Sequence, residues 1–289
     1  MAETTSTSGW ARAWTLFRIL MGIVGLGVLV QLVDGQEVRQ AIINAAPGYL
    51  LVAWALLLAS TVVKTVRWQV LLNQNGVGFT LRRLLGTYLI GTFYSQFLPG
   101  SSAGGDAMRM AESYADTRRP VDSVASVLIE RAIGLVSVVT TASLLLMFVV
   151  REHIPEPVSL VIHALALLGI GALVVLRYGW FIQPLRRWME RLRLGKLADK
   201  VEQLNRALQG DLGNWRVLAV MVLLSLLANF FSMTAYYLVL LAVTEAVSYL
   251  AFISLVALIV TLEIIPLTPG SLGIREGGLC VLPGDAERG

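Results

Sequence analysis

Two charged residues in the middle of an apolar segment are the clearest candidates for chemistry in this chain. Glu130 and Arg131 lie about ten residues into a helix that we predict to begin near Val121, about 15 Å deep in a membrane. An ionised side chain there costs at least about 2.5–3.5 kcal/mol, so each residue needs a partner or water. Adjacent residues point about 100° apart on a helix, so the pair does not neutralise itself. The available partners are Lys64, Arg67, Asp106, Arg109, Glu263 and Glu276.

Two interpretations of this intramembrane charge are open from the residues alone. The charges form either a structural ion-pair network that locks the helices together or a site for a substrate or coupling ion. Lys64 and Arg67, one turn apart beside Trp68, carry a similar ambiguity. They either extend to the inner membrane interface, as long basic side chains do, or bind a lipid headgroup.

Two Pro-Gly breaks inside apolar segments mark a second candidate feature. They lie in the segments Phe97–Arg109 and Pro266–Glu276, and in each a carboxylate follows the proline of the pair by seven residues. A helix that ends at membrane depth leaves backbone groups that lipid cannot satisfy, so such a break must be buried in protein or line a watery cavity. The pattern predicts a polar site built from half-helices. The residues predicted to form the breaks are Pro99, Gly100, Gly104, Gly105, Pro269, Gly270 and Gly273.

The charges beside the two breaks point to an anionic ligand. Asp106 and Glu276 fall where a new helix would begin, and capping is the simplest account of both. Arg109 and Arg275 oppose the helix dipole there unless an anion is also present, and a helix N-terminus with an arginine makes a phosphate site. Three arginines would hold the phosphate: Arg109, Arg131 and Arg275. Three carboxylates would orient them or bind a cationic headgroup: Asp106, Glu130 and Glu276. The residues that we expect to contact substrate are Asp106, Arg109, Glu130, Arg131, Arg275, Glu276, Lys64 and Arg67.

The composition predicts an integral membrane protein. Of 289 residues, 56% are hydrophobic and 15% charged, where a soluble domain has about 25% charged residues. We expect an all-α polytopic bundle of about five spanning helices plus two broken or re-entrant helical segments, Leu84–Leu98 and Tyr249–Ile265, which are too short to cross. The five runs predicted to span are Trp14–Val33, Ala45–Val63, Ala132–Val150, Val158–Leu176 and Val217–Val243.

Basic residues predict the topology, because they tend to stay on the cytoplasmic side. They place the N-terminus on the cytoplasmic side of the cell (inner or plasma) membrane. Arg118 and Arg119 stay inside only if Leu84–Leu98 enters and turns back at Pro99-Gly100. By the same count Tyr249–Ile265 enters from the outer face, which would be an inverted arrangement of two half-helices.

Few cofactor signals are present. The lone Cys280 excludes an internal disulfide and a thiolate-rich metal site, and the two histidines do not form a ligand cluster. The glycine-rich stretch after Pro99 lacks the Gly-Lys-Ser/Thr ending of a nucleotide loop, so any transport would be downhill or ion-coupled. We expect no metal, no cofactor and no nucleic-acid partner; the expected partners are membrane lipids and their anionic headgroups.

A single transmembrane domain is predicted over residues 14–279, with tails at 1–13 and 280–289. Within it, residues 180–210 have amphipathic spacing, with Leu185, Trp188 and Leu192 on one face and mostly basic residues opposite. This pattern is typical of helices that lie on the inner leaflet through apolar insertion and anionic headgroups. An ordinary linker helix resting on the surface is the alternative.

Three ordered motifs resemble the membrane region of lysylphosphatidylglycerol synthases and their stand-alone, flippase-like relatives. They are the Phe-Leu-Pro-Gly…Gly-Gly-Asp-x-x-Arg run of Phe97–Arg109, the pair Glu130-Arg131, and the run Pro266–Glu276; Arg67-Trp68 is also similar. The resemblance covers nearly the whole chain. It implies movement of lipids, lipid-linked sugars or aminoacylated phospholipids between leaflets, without the synthase activity of a soluble domain.

Alternative functions are an intramembrane enzyme acting on a lipid phosphate or lipid-linked sugar, and a small-anion transporter. Members of the resembled family continue with further hydrophobic helices after the second break, whereas residues 277–289 of this chain cannot span. The C-terminus is therefore interpreted as truncated, or as completed by a partner or by a second copy in a homo-oligomer.

Overall fold

A computed structural model describes residues 35–74, 76, 78–97, 102–117, 120–148, 156–180, 182–192, 195–244 and 248–262. These residues form α-helices joined by short connections, and the described part of the chain contains no strand. In chain order the helices are α1 (Gly35–Asn44), α2 (Pro47–Gln74), α3 (Leu81–Phe97), α4 (Ser102–Thr117), α5 (Pro120–Phe148), α6 (Glu156–Tyr178), α7 (Ile182–Arg191), α8 (Gly195–Gly213), α9 (Trp215–Leu241) and α10 (Tyr249–Leu262).

Helices α2, α5, α6 and α9 are long and apolar enough to cross a membrane. They coincide with four of the five predicted spanning runs, and the fifth, Trp14–Val33, lies outside the described residues. Large apolar side chains on these helices face outward, such as Leu51 and Leu167, which are 68% and 71% exposed. A helix with apolar side chains on its outer face needs lipid as its solvent. The polytopic helix bundle predicted from composition is confirmed.

Helices α3 and α4 form a hairpin whose two arms touch through glycine. The arms contain 17 and 16 residues, so each is about 25 Å long. A Cβ on Gly105 would overlap the carbonyl oxygen of Gly91, and a Cβ on Gly91 would lie 3.1 Å from the Gly105 oxygen. Small residues allow helix backbones to approach this closely in membranes. The break residues Pro99 and Gly100 lie outside the described residues, and re-entry of this hairpin from the inner face stays a prediction.

Helices α2 and α9 pack antiparallel through matching polar stripes. The backbone amide of Ala46 donates to the Ala242 carbonyl at 3.0 Å near one end of the pair. Further along, the Ser60 hydroxyl lies 2.8 Å from that of Ser232 and donates to the Ala228 carbonyl. Hydroxyls that bond across helices satisfy groups that lipid cannot.

Helix α8 packs its apolar face on the bundle, which differs from the leaflet insertion predicted for residues 180–210. Leu208 and Leu212 of α8 are 8% and 1% exposed and belong to one apolar core with Ile129 and Ile133 of α5. The helices do have the predicted amphipathic spacing, but periodicity alone does not tell whether an apolar face contacts lipid or protein. Two residues of the predicted apolar face are exposed, namely Trp188 on α7 and Leu192 directly after it.

Helix α10 packs on α5 and α9 around a second apolar core that includes Phe252 and Ala257. The second predicted break follows this helix and lies outside the described residues. The same is true of the site candidates in that segment: Glu263, Pro269, Gly270, Gly273, Arg275 and Glu276.

Candidate functional site

Glu130 of α5 lies between two arginines that come from different helices. Arg67 of α2 donates through Nη2 to Glu130 Oε1, and Arg109 of α4 donates through Nη1 to Oε2 at 3.0 Å. Glu130 is 2% exposed and each arginine is 5% exposed. A buried carboxylate with two charge-assisted partners satisfies the requirement for neighbours predicted from depth. We call Arg67, Glu130 and Arg109 the buried triad.

Arg67 is held in place from two sides. Its Nη1 donates to the Ser225 hydroxyl of α9 at 2.5 Å, and that hydroxyl donates to the Met221 carbonyl at 2.8 Å. On the other side, a Cβ on Gly134 would lie 3.2 Å from Arg67 Nη2. Arg67 therefore does not extend to the membrane interface, and the snorkelling interpretation is wrong for this residue.

Arg109 is enclosed by aromatic rings. The central carbon of its guanidinium lies 4.4 Å from the ring centroids of both Trp68 on α2 and Tyr88 on α3. Each is within the range of a cation–π interaction, which stabilises a desolvated cation. The Trp68 indole donates to Ser126 at 3.3 Å, which fixes the ring against α5. Arg109 is the eighth residue of α4, so it lies two turns from the helix start, farther than the position near the first turn that we predicted.

Asp106 is not a helix cap. It is the fifth residue of α4, beyond the first turn, and its Oδ2 accepts from Arg131 Nη1 at 2.9 Å. Its Oδ1 lies 3.7 Å from Arg109 Nη1, which connects this pair to the buried triad. The Arg131 side chain is 37% exposed, whereas that of Asp106 is 16% exposed. The capping explanation is therefore wrong for Asp106, whose role is an ion pair between α4 and α5.

A cavity of about 270 Å³ adjoins the buried triad. We call it the polar cavity. Its described walls come from α2, α3, α4, α5, α9 and α10, and one carboxylate, Glu130, is among them. Lys64 is half-buried there and has no ion pair within the described ranges. The charged and polar residues of the walls are Lys64, Arg67, Tyr88, Arg109, Glu130, Arg131, Asn229, Ser232 and Tyr236.

The structure thus brings six of the eight predicted substrate contacts together: Lys64, Arg67, Asp106, Arg109, Glu130 and Arg131. The other two, Arg275 and Glu276, lie outside the described residues. Two of the predicted break glycines, Gly104 and Gly105, lie inside the continuous helix α4, so the prediction that they break a helix is wrong. Gly105 instead provides the close contact between α3 and α4.

Sequence reasoning missed the contribution of α9. Ser225, Asn229 and Ser232 follow one another at helical spacing in an otherwise apolar run, and all three face the site. Four- and three-residue steps place side chains on the same helix face, so this polar stripe could have been found. Tyr88 had no comparable signal, because a tyrosine in an apolar segment is equally typical of an interface belt.

Known proteins provide an independent comparison. A family model described as the lysylphosphatidylglycerol synthase transmembrane region matches residues 15–283. The chain is also similar to a UPF0104 membrane protein of Methanothermobacter thermautotrophicus, with 22% identity over 284 residues that cover 91% of this chain and 83% of the relative. No solved structure matches the chain. All six clustered residues lie inside the family match.

Proposed function

The chain belongs to the family of lysylphosphatidylglycerol synthase transmembrane regions, and from this premise we propose that it binds the anionic headgroup of a lipid or lipid-linked substrate and moves it between leaflets. The observation that carries the proposal is the charge of the polar cavity. Lys64, Arg67, Arg109 and Arg131 line it, against one carboxylate among its described walls.

Cation excess favours an anionic ligand over a purely structural network. Four cations and the two carboxylates that pair with them, Asp106 and Glu130, leave a net charge of +2 over the described residues. A structural network is most stable when its charges balance, because each unpaired buried charge costs several kcal/mol. A phosphate would supply the missing negative charge, and arginine binds phosphate through paired donors.

The residues divide into a rigid part and an adaptable part. The buried triad forms a fixed part of the cavity wall, with Arg67 held by Ser225 and Arg109 by two rings. Lys64 and Arg131 are more accessible, so they are the groups that we expect a headgroup to contact first. Preorganised partners for charge keep the cost of binding low, because few side chains must be ordered.

The site is also divided between two bodies. Arg109 and Asp106 come from the α3–α4 hairpin, whereas Arg67, Glu130 and Arg131 come from the bundle. A shift of the hairpin against the bundle would open the polar cavity, which fits transporters whose broken helices line a central site. In this proposal the protein lies in the cell membrane with its N-terminus in the cytoplasm.

Lipid flipping in proteoliposomes tests the proposal. Lys64→Gln removes an accessible cation while leaving the buried triad intact, and Lys200→Gln on the exposed face of α8 is the matched control. We expect flipping of a fluorescent phosphatidylglycerol to slow about ten- to hundredfold in the first variant, because a hydrogen bond to a charged group contributes about 1.5–3 kcal/mol. The control should flip at the wild-type rate.

A second assay distinguishes a lipid substrate from a soluble anion. The same vesicles are assayed for uptake of radiolabelled inorganic phosphate. Uptake of phosphate without lipid flipping would replace the proposal with a small-anion transporter. Flipping that is equal in wild type, Lys64→Gln and empty vesicles would refute it altogether.

A further inference from the structure

A second cavity is lined by a different face of α5 from the one that lines the polar cavity. It has a volume of about 350 Å³ and is formed mainly by apolar side chains of three candidate spans. We call it the α5–α6–α9 groove. Its walls include Val136 and Leu144 of α5, Ile170 and Val174 of α6, and Val222 and Leu226 of α9. Ligand sites of this size and apolarity are typical of small hydrophobic molecules.

The groove is separate from the polar cavity. The Asn229 side chain, which lines the polar cavity, donates to the Ser137 hydroxyl, which lines the groove, at 3.2 Å. This contact between α9 and α5 closes the space between them. An occupant of the groove is therefore a different molecule from the transported one, and the inference does not depend on the proposed function.

One cation lies at the end of the groove. Arg177, in the last turn of α6, lines it and donates through Nη2 to the Gly213 carbonyl at 3.3 Å. A guanidinium has five donors, so most of its donors remain for a ligand. Ile170 lies seven residues before Arg177 on α6, so the apolar walls extend about 10 Å from the charge.

Aromatic residues identify the depth of this charge. Tyr178 stacks on Trp180 at 5.3 Å, and both rings are more than half exposed next to Arg177. Trp215, at the start of α9 and two residues after Gly213, is 66% exposed. Exposed tryptophan and tyrosine at helix ends mark the level of lipid headgroups. Arg177 therefore lies at headgroup depth, with the apolar part of the groove directed toward the hydrocarbon core.

We propose that the α5–α6–α9 groove binds one anionic phospholipid, with its phosphate on Arg177 and one acyl chain against α5, α6 and α9. The apolar walls match a hydrocarbon chain, and Arg177, the one cation among the described walls of the groove, matches the charge of the phosphate. The bound lipid fills a gap between three spans, so it stabilises the bundle.

Native mass spectrometry of delipidated protein tests this site. The full chain in detergent is titrated with dioleoylphosphatidylglycerol or dioleoylphosphatidylcholine, and bound lipid is counted. We expect one phosphatidylglycerol to bind about fivefold more tightly than phosphatidylcholine, since a basic residue near the membrane surface contributes about 1 kcal/mol. Arg177→Gln should abolish this preference and Arg177→Lys should retain most of it. Arg216→Gln, which removes an exposed cation at the start of α9 outside the groove, should leave it unchanged.

A matched pair of tryptophan substitutions tests the groove itself. Val222→Trp fills the groove, whereas Leu223→Trp adds the same ring to the neighbouring position, which is 65% exposed and outside the groove. Only the first should prevent the tight binding event, with helix content by circular dichroism unchanged in both. Equal binding of the two lipids, equal effects of the two tryptophans, or an unchanged Arg177→Gln variant would overturn the proposal. Two results would assign the groove to another occupant and so overturn the proposal. One is a dimer mass in lipid-free protein, which would place a second copy of the chain in the groove. The other is destabilisation by Val222→Trp without lipid, which would place residues 1–34 there.

Discussion

The same charged groups occur in two Arg–Glu–Arg clusters with opposite surroundings. The buried triad is enclosed between α2, α4 and α5. The second cluster, which we call the surface triad, consists of Arg186, Glu202 and Arg206 and joins α7 and α8. Glu202 accepts from both arginines, whose side chains are 41% and 72% exposed. Arg186 also contacts Glu190 at 2.8 Å.

Burial decides what each cluster contributes. An exposed ion pair gains little, because water screens it and two long side chains lose freedom. A buried cluster contributes through the cost of breaking it, since each charge left behind is unpaired in a poorly polarisable interior. The buried triad is therefore a requirement of the fold at the site, whereas the surface triad adjusts the contact between two short helices.

The largest effect is expected from Glu130→Gln, which removes the carboxylate between two buried cations. We expect a loss of about 3–5 kcal/mol in the free energy of unfolding, the usual cost of breaking a buried pair from one side. Unfolding by sodium dodecyl sulphate in mixed micelles, followed by circular dichroism, measures it. Glu202→Gln makes the same change in the surface triad and should shift the unfolding curve only slightly, because water screens that carboxylate. Equal shifts in the two variants would show that burial does not distinguish the triads.

The second effect concerns the hairpin that brings Arg109 to the buried triad. Gly105→Ala places a Cβ against the Gly91 carbonyl, so the arms must separate, at a cost of about 1–3 kcal/mol. The control is Gly86→Ala on α3, where nothing lies within 4 Å of an added Cβ. It should raise stability by up to about 1 kcal/mol through helix propensity. A Gly105→Ala variant as stable as Gly86→Ala in the same assay would show that the close contact is not required.

A smaller effect is expected at the pair between Asp106 and Arg131, whose exposure is intermediate between the two triads. Asp106→Asn should cost about 1–2 kcal/mol, less than a buried charged contact and more than a surface pair. Glu112→Gln on the same helix, where Glu112 has no ion pair within the described ranges, is the control. If Asp106→Asn destabilised the protein as much as Glu130→Gln, the strength of these ion pairs would not depend on how exposed they are.

The smallest effect is the pH dependence of the surface triad. The hydrogen bond from Arg206, with the charge of Arg186, lowers the pKa of Glu202 below its usual value of 4.5. A carboxylate with a lowered pKa in the folded state stabilises above its unfolded pKa, and this contribution is lost as pH falls through the folded value. The small difference in melting temperature between wild type and Glu202→Gln should thus be present near pH 7 and shrink as the pH falls below the usual value of 4.5. A difference that grew toward acid pH would have the wrong sign.

Much of the fold and part of the site were predictable. Length and apolarity predicted α2, α5, α6 and α9 as spans, because a membrane requires long apolar helices. Depth alone predicted that Glu130 and Arg131 need partners. Six available partners could be named from the sequence, but which of them pair with Glu130 could not. Arg67 and Arg109 are 63 and 21 residues from Glu130 and reach it through helix packing.

The sequence by itself determined that this is a polytopic membrane protein of a recognisable family. It also determined that charged side chains lie within the spans and need partners or water there. Those conclusions depend on local periodicity and on the cost of charge in lipid, which act on any such helix regardless of its neighbours. Only the tertiary structure decided which charges pair and that α8 packs on protein. It also decided that the polar stripe of α9, which begins at Ser225, faces the site. These depend on how each helix is rotated against the next, which side-chain packing sets and local sequence does not.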